Sequence, residues 1–266
     1  MGAIHFSIDT DMIRVLQASL NLETLVETGT FEGASVQAAR NLFKKIFTIE
    51  LSADLHRAAV QKFKGDPAVD VLLGNSPEIL QNLRPRLEEE SVLYWLDAHW
   101  CIADEATAGK KSQCPLMQEL DAIHTLNEKS VILIDDARLF LSPPLAPHEI
   151  SDWPDFDSIV RKLFALNSTH VLAVINDVIT YVPRSAFPGL RQYAHNHSPD
   201  VLMAFHKVGY FDQLVKDLKF TKAACIDLEK RCIELGNRLD EEEAIQWHIR
   251  IAGKTFLRTR RPVGKN

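Results

Sequence analysis

The chain's 266 residues are 46% hydrophobic and 25% charged, the make-up of a globular protein and not of a disordered, fibrous or membrane-spanning one. A net charge of −6 argues against general nucleic-acid binding, and four cysteines (Cys101, Cys114, Cys225, Cys232) are too few for a disulfide scaffold. No apolar run reaches the ~20 residues of a membrane helix. The opening MGAIHFSIDTD lacks the cationic-then-apolar pattern of a secretory signal, and Phe6 stands where a myristoylation motif needs Ser or Thr. The expectation is a soluble, cytoplasmic protein of a reducing compartment.

Five short apolar runs read as buried strands: LETLVETG (22–29), KIFTIELS (45–52), VDVLLGNS (69–76), SVLYWLDAHW (91–100) and SVILIDDAR (130–138). Helical stretches such as 34–45 and 115–129 lie between them, which is the βαβ alternation of a doubly wound parallel sheet. Two more runs, HVLAVI (170–175) and VITYVP (178–183), are joined only by Asn176-Asp177. So short a link forces an antiparallel pair. The expected class is α/β, a parallel sheet closed by an antiparallel hairpin, over residues 1–207.

Residues 208–266 read as a separate helical extension. From Phe211 to Leu239, Phe211, Leu214, Leu218, Thr221, Cys225, Leu228, Cys232, Leu235 and Leu239 follow at alternating steps of three and four. That heptad seam predicts a coiled coil and a homo-oligomer built through residues 211–239. After Asp240-Glu241-Glu242-Glu243, residues 244–266 carry Arg250, Lys254, Arg258, Arg260, Arg261 and Lys265 with no acid. Read as a helix, Ile245, Ile249, Ala252 and Phe256 share one face, a basic amphipathic tail suited to peripheral contact with an anionic membrane at its inner face. Gly253 weakens that helix.

Ligands of open parallel sheets bind outside the carboxyl ends of the strands, so the strand-end residues are the chemical candidates. The first strand runs into VETGTFEGAS (26–35), with Gly29 permitting a tight turn and Gly33 a close backbone approach. The spacing departs from G-x-G-x-x-G. Glu50 ends the second strand, where it can accept both hydrogen bonds of a ribose diol, and Asn75-Ser76 end the third, where they can address an adenine edge.

These features resemble the class I S-adenosylmethionine-dependent methyltransferases, over about residues 8–183. The resemblance rests on the Glu27-Thr28-Gly29-Thr30 turn, Gly33, the Glu50 acid, GNS at 74–76 and the terminal hairpin. It implies a Rossmann-like methyltransferase sheet that binds S-adenosylmethionine. Glu27, Thr28, Gly29, Thr30 and Gly33 would then hold the methionine moiety, Glu50 and Leu51 the ribose, and Asn75, Ser76 and Asp97 the rest of the cofactor site.

The fourth strand ends in LDAHW (96–100) and the fifth in LIDDAR (133–138). Neighbouring strands lie ~4.8 Å apart, so Asp97 and Asp135 can face one another, while Asp136 joins them only if the chain turns there. Converging carboxylates need a compensating cation, and an all-oxygen set suits Mg²⁺, Mn²⁺ or Ca²⁺. His99, two residues beyond Asp97, is a candidate base. This pattern is similar to metal-dependent O-methyltransferases of the catechol and antibiotic-sugar types, which implies Mg²⁺ on Asp97, Asp135 and Asp136 and a base at His99. The alternative for the aspartates is helix capping. Residues 101–114 form a long connection of the kind that serves as a lid. Trp100 and Trp153 are either a sugar-stacking platform or core, and Arg138 either contacts an anionic substrate or forms a surface ion pair.

The function expected from these readings is S-adenosylmethionine-dependent, divalent-metal-dependent O-methyl transfer to a hydroxyl of a sugar, glycan or similar vicinal diol. Two other classes stay open: a non-catalytic coiled-coil scaffold with a degenerate Rossmann unit, and an NAD-linked oxidoreductase, which the glycine spacing disfavours.

Overall fold

In the computed structural model, which describes residues 7–100, 113–142, 144–198, 218–219, 221–222, 225–230, 246–251 and 254–259, the chain divides into two units, Met1–Pro199 and Asp200–Asn266. The first alternates helices and strands: α1 (Thr10–Gln17), β1 (Thr24–Thr28), α2 (Ala34–Ala39), β2 (Lys45–Glu50), α3 (Ala53–Lys62), β3 (Val69–Leu73), α4 (Ser76–Leu87) and β4 (Val92–Leu96). It continues with α5 (Leu116–Ile123), β5 (Val131–Ile134), α6 (Arg138–Leu141), α7 (Phe156–Leu166), β6 (Val171–Ile175), β7 (Val178–Val182) and α8 (Phe187–His197). Every strand read from the sequence is present. The helices are shorter than their patterns: α2 stops at Ala39 because Lys44 and Lys45 already donate to the Glu23 carbonyl on the way into β2. Likewise α5 stops at His124, whose φ of +66° takes it out of the helix.

The seven strands form one sheet in the order β3-β2-β1-β4-β5-β7-β6. All neighbours are parallel except β7, which runs antiparallel to both β5 and β6. This is a doubly wound, Rossmann-like sheet closed by an antiparallel hairpin. Asn176 and Asp177, the whole β6–β7 link, both take positive φ (51° and 69°), the conformation a two-residue hairpin turn requires.

Two cores form because side chains alternate across each strand. Val26, Phe47, Tyr94, Leu96, Ile132 and Ile134 face α4, α5 and α7. Leu25, Ile46, Leu93, Trp95 and Leu133 face α1, α3 and α8. With both faces covered, β1, β4 and β5 are buried throughout. Fully burying each such side chain contributes about 1.5–3 kcal/mol. Strand order reverses between β1 and β4, which places the ligand-binding crevice of such a sheet outside their carboxyl ends.

In the second unit, residues 218–219, 221–222 and 225–230 are helical. The seam positions Leu218, Thr221, Cys225 and Leu228 fall there, while Phe211, Leu214, Cys232, Leu235 and Leu239 lie outside the described residues. The basic tail corrects its helical reading. β8 (Gln246–Ile251) and β9 (Lys254–Thr259) pair as an antiparallel hairpin. The reason is in the residues: Gln-Trp-His-Ile-Arg-Ile alternates polar and apolar with a period of two, and Ile251 pairs with Lys254 across a two-residue link that the sequence writes Ala252-Gly253. Among the described residues no helix is long and apolar enough to cross a membrane.

Candidate functional site

The end of β1 is a buried polar knot. Glu27 is buried, and Thr48 of β2 donates to its Oε2 at 2.5 Å. The Thr48 hydroxyl also meets that of Thr30 at 2.6 Å. Burial pushes the Glu27 carboxyl up to about 8, against hydrogen bonds from Thr48 and Ser35 that pull it down. Gly29 takes φ +82°, and a Cβ there would lie 2.4 Å from the Asp97 backbone oxygen. Gly33 takes φ +68°, with the Phe63 ring 2.8 Å from where its Cβ would be. Both positions therefore exclude a side chain on conformation and on space.

Glu50 is buried at the end of β2 and accepts one backbone N–H on each oxygen: Ser52 on Oε1 and Phe31 on Oε2, both at 2.8 Å. A carboxylate has about four lone-pair positions. One acceptor position remains on each oxygen, which suits a bidentate diol. Leu51 beside it is half exposed. Past β3, Asn75 is exposed at the start of α4, and Ser76 is buried. An acid-bearing first turn, a two-pronged acceptor on Glu50 and two residues open toward solvent are donor and acceptor groups that fit S-adenosylmethionine. Glu27 and the Gly29–Gly33 turn would hold its amino-acid end, Glu50 its ribose.

Across the switch point, the Asp97 amide donates to Thr28, to the carbonyl at 3.1 Å and the hydroxyl at 3.2 Å, which ties β4's exit to β1. His99 stands between two acids: its Nε2 is 2.9 Å from Asp136 Oδ2, and its Nδ1 is 3.6 Å from Asp97 Oδ1. The turn on which Asp136's membership depends is present, as φ +55° at Asp136 itself. Asp135 is buried and its Oδ1 accepts the Asp136 amide at 2.8 Å. Burial pushes Asp97 and Asp135 above the ordinary aspartate range. Burial would raise Asp136 as well, but its His99 hydrogen bond, the charge of that ring and Arg138 outweigh it and hold the carboxyl at about 2. Burial lowers His99, yet the bond to Asp136 and the charges of Asp97 and Asp136 prevail and raise it. Capping is not what these acids do: α5 and α6, the described helices that follow, have Pro115 and Ala137 at their N-caps and no side-chain cap bonds.

The same geometry weighs against a divalent metal held by Asp97, Asp135 and Asp136. Both Asp136 oxygens face donors, Oδ2 toward His99 and Oδ1 toward Arg138 Nη1 at 2.7 Å. Among the described residues no three His, Cys, Asp or Glu side chains are placed to hold a metal ion. The residues as arranged do not fit Mg²⁺, because a hard cation on Asp136 would share that carboxylate with the fixed positive charge of Arg138 at contact distance and with the His99 ring.

Several residues of the site escape sequence reading. Glu119 on α5 is buried and accepts from Ser76 Oγ at 2.5 Å; burial pushes it up to about 7, against bonds from Ser76 and Thr28. Its signal is a charged residue within the buried stripe Leu116, Glu119, Leu120, Ile123. Gln113 receives the Trp153 indole N–H (3.2 Å) and the Glu149 amide (2.9 Å) on Oε1, and its carbonyl takes the Trp100 amide at 2.7 Å. Trp100 and Trp153 are both buried, with the His148 ring edge-on to each, so they pack as core. Trp153 also lies 5.5 Å from the His99 ring. Cys114 is a buried free thiol, raised by burial to about 12. Of the long connection expected over 101–114, residues 101–112 lie outside the described residues.

Comparison with family models and with curated proteins finds no match. Among solved structures the chain is similar to CalS10, an amino pentose methyltransferase from Micromonospora echinaspora involved in calicheamicin biosynthesis, at 13% identity and a TM-score of 0.33. That match covers 47% of this chain and 48% of the other, so it spans about half of that protein. A putative caffeoyl-CoA O-methyltransferase from Staphylococcus aureus matches at 14% identity and TM-score 0.44, over 67% of this chain and 86% of that one. The sugar N-methyltransferase KedS8 from Streptoalloteichus sp matches at 13% and 0.43, over 66% and 86%. At such identities the likeness is one of fold alone.

Proposed function

We propose that the first unit is an S-adenosylmethionine-dependent methyltransferase acting on a hydroxyl of a sugar, glycan or similar diol. One observation carries this reading: Gly29 packs against the Asp97 backbone, so the turn suited to the cofactor adjoins the His99–Asp136 pair suited to a proton. S-adenosylmethionine, when bound, supplies a methyl group on a positively charged sulfur. The chain's part is to position and to manage charge. Glu27 and Glu50 anchor the two ends of the cofactor. Asp136 accepts from His99 Nε2, leaving Nδ1, on the Asp97 side, to take the acceptor's hydroxyl proton.

In the second unit, the seam over 211–239 would assemble the chain into a homo-oligomer. Leu218 and Leu228, both seam positions, are each 57% exposed, which supports a partner helix over them. The activity is tested by incubating the protein with S-adenosylmethionine and panels of sugars, amino sugars and catechols, with mass spectrometry for methyl gain. Methylation of sugar hydroxyls is the expected result; gain only on amines would move the reading to N-methyl transfer. Light scattering on a chain ending near Lys207 tests assembly, and an unchanged oligomeric state would remove that role.

A further inference from the structure

Arg138 is tied down from two sides at the exit of β5. Its Nη1 donates to Asp136 Oδ1 at 2.7 Å and also to Asp177 Oδ2. Asp177 belongs to the β6–β7 turn and holds the same segment by its other groups. Its Oδ1 accepts the Arg138 amide at 2.8 Å, and its carbonyl the Ala137 amide at 2.7 Å. Because β7 lies between β5 and β6, that turn emerges directly beside Asp136. The result is an alternating row, His99–Asp136–Arg138–Asp177, with Asp97 closing it at the histidine end.

We propose that Arg138, fixed by Asp177, is a built-in cation of this site: a positioning residue that holds Asp136 against His99, in a site that works without a divalent metal. The inference deepens the methyltransferase reading and rests on it for the reaction served. A guanidinium keeps its charge at any working pH, so the balance it provides does not depend on a loaded ion. Asp136 carries a negative charge in a buried place, and leaving such a group without its partners is costly. With Arg138 on one oxygen, Asp136 has a single orientation for the other, which fixes the His99 ring and sets Nε2 as its donating nitrogen. That is how an acid positions a catalytic histidine. A metal on Asp136 would have to share the carboxylate with both donors, one of them a like charge.

The test uses the full chain with S-adenosylhomocysteine present. Titration with Mn²⁺, followed by electron paramagnetic resonance, should give no saturable binding at millimolar metal, and turnover should be indifferent to EDTA. Arg138→Met should lower kcat by about tenfold or more with KM for S-adenosylmethionine unchanged. Arg138→Lys should recover most of it, since one nitrogen makes both side-chain bonds. In ¹⁵N spectra of labelled histidine, wild type and Arg138→Lys should hold His99 as the Nε2-bonded form, and Arg138→Met should lose that single form. Saturable Mn²⁺ binding that Asp136→Asn abolishes would overturn the proposal, as would wild-type kcat in Arg138→Met. Failure to bind S-adenosylhomocysteine would sink the methyltransferase reading instead, while the metal titration and the spectra still judge the charge arrangement.

Discussion

Ser76 Oγ donates to Glu119 Oε1 at 2.5 Å, joining the exit of β3 to α5 beneath the proposed adenine position. Both residues are buried, and Thr28 bonds the same carboxyl. Glu119→Ala leaves two buried hydroxyls without their acceptor, so it should destabilise the fold by about 1–3 kcal/mol. Glu119→Gln keeps an acceptor oxygen and should cost less. Urea denaturation distinguishes them; equal stability of all three proteins would show that the cluster contributes nothing.

Buried carboxyls set a pH dependence of stability, Glu27 and Glu119 alongside Asp97 and Asp135. Glu27 and Glu119 rise from 4.5 to about 8 and about 7, burial being the chief cause in both. Between the unfolded and folded values the unfolded chain gives up protons that the folded chain retains, so the stability they contribute is lost as pH rises. It is fully present below about 4.5 and gone above about 8. The melting temperature of the ligand-free protein should therefore fall from about pH 6 to about pH 9, and Glu27→Gln with Glu119→Gln should flatten the slope. A wild-type slope in the double variant would relocate the cause.

The cofactor is cationic at sulfur and at its amino group, and Glu27 is the buried acid at its expected amino-acid end. Its arrival should draw the Glu27 proton off. Calorimetry at neutral pH in buffers of different ionisation enthalpy should report proton release on binding, and Glu27→Gln should abolish it. Buffer-independent heats in the wild type would contradict this.

Gly29→Ala forces a methyl into the Asp97 carbonyl and an L-residue into φ +82°. The left-handed backbone costs about 1–2 kcal/mol and the overpacking about 1–3. Gly65→Ala, at φ +86° with open space around it, should show only the first cost. Thermal unfolding of the two variants separates strain from collision, and equal losses would show that the close approach is relaxed at no cost.

The strands were legible because each apolar run ends in a polar or glycine residue at its carboxyl edge, and Asn176-Asp177 left no room for a parallel link. For the same reason Glu27, Glu50, Asp97 and Asp135 could be placed at one edge of the sheet. What His99 and Asp136 do to each other was not legible, since it depends on a positive φ at a non-glycine residue. Nor was Arg138's hold on Asp177, which follows from β7 lying between β5 and β6, a long-range fact that no local pattern encodes. The hairpin over 246–259 was missed for another reason. Its period of two was present, but the steps Ile249, Ala252 and Phe256 also satisfy a helix, and the basic residues drew the reading that way.

On the proposed function, the ends of β1 and β2 hold S-adenosylmethionine, with Glu50 as the ribose acceptor. Isothermal titration of the full chain with S-adenosylhomocysteine, wild type against Glu50→Ala, measures it most directly. Saturable one-to-one binding is expected, weakened by about 1–3 kcal/mol in the variant. No binding by the wild type, or equal affinity in the two proteins, would contradict it.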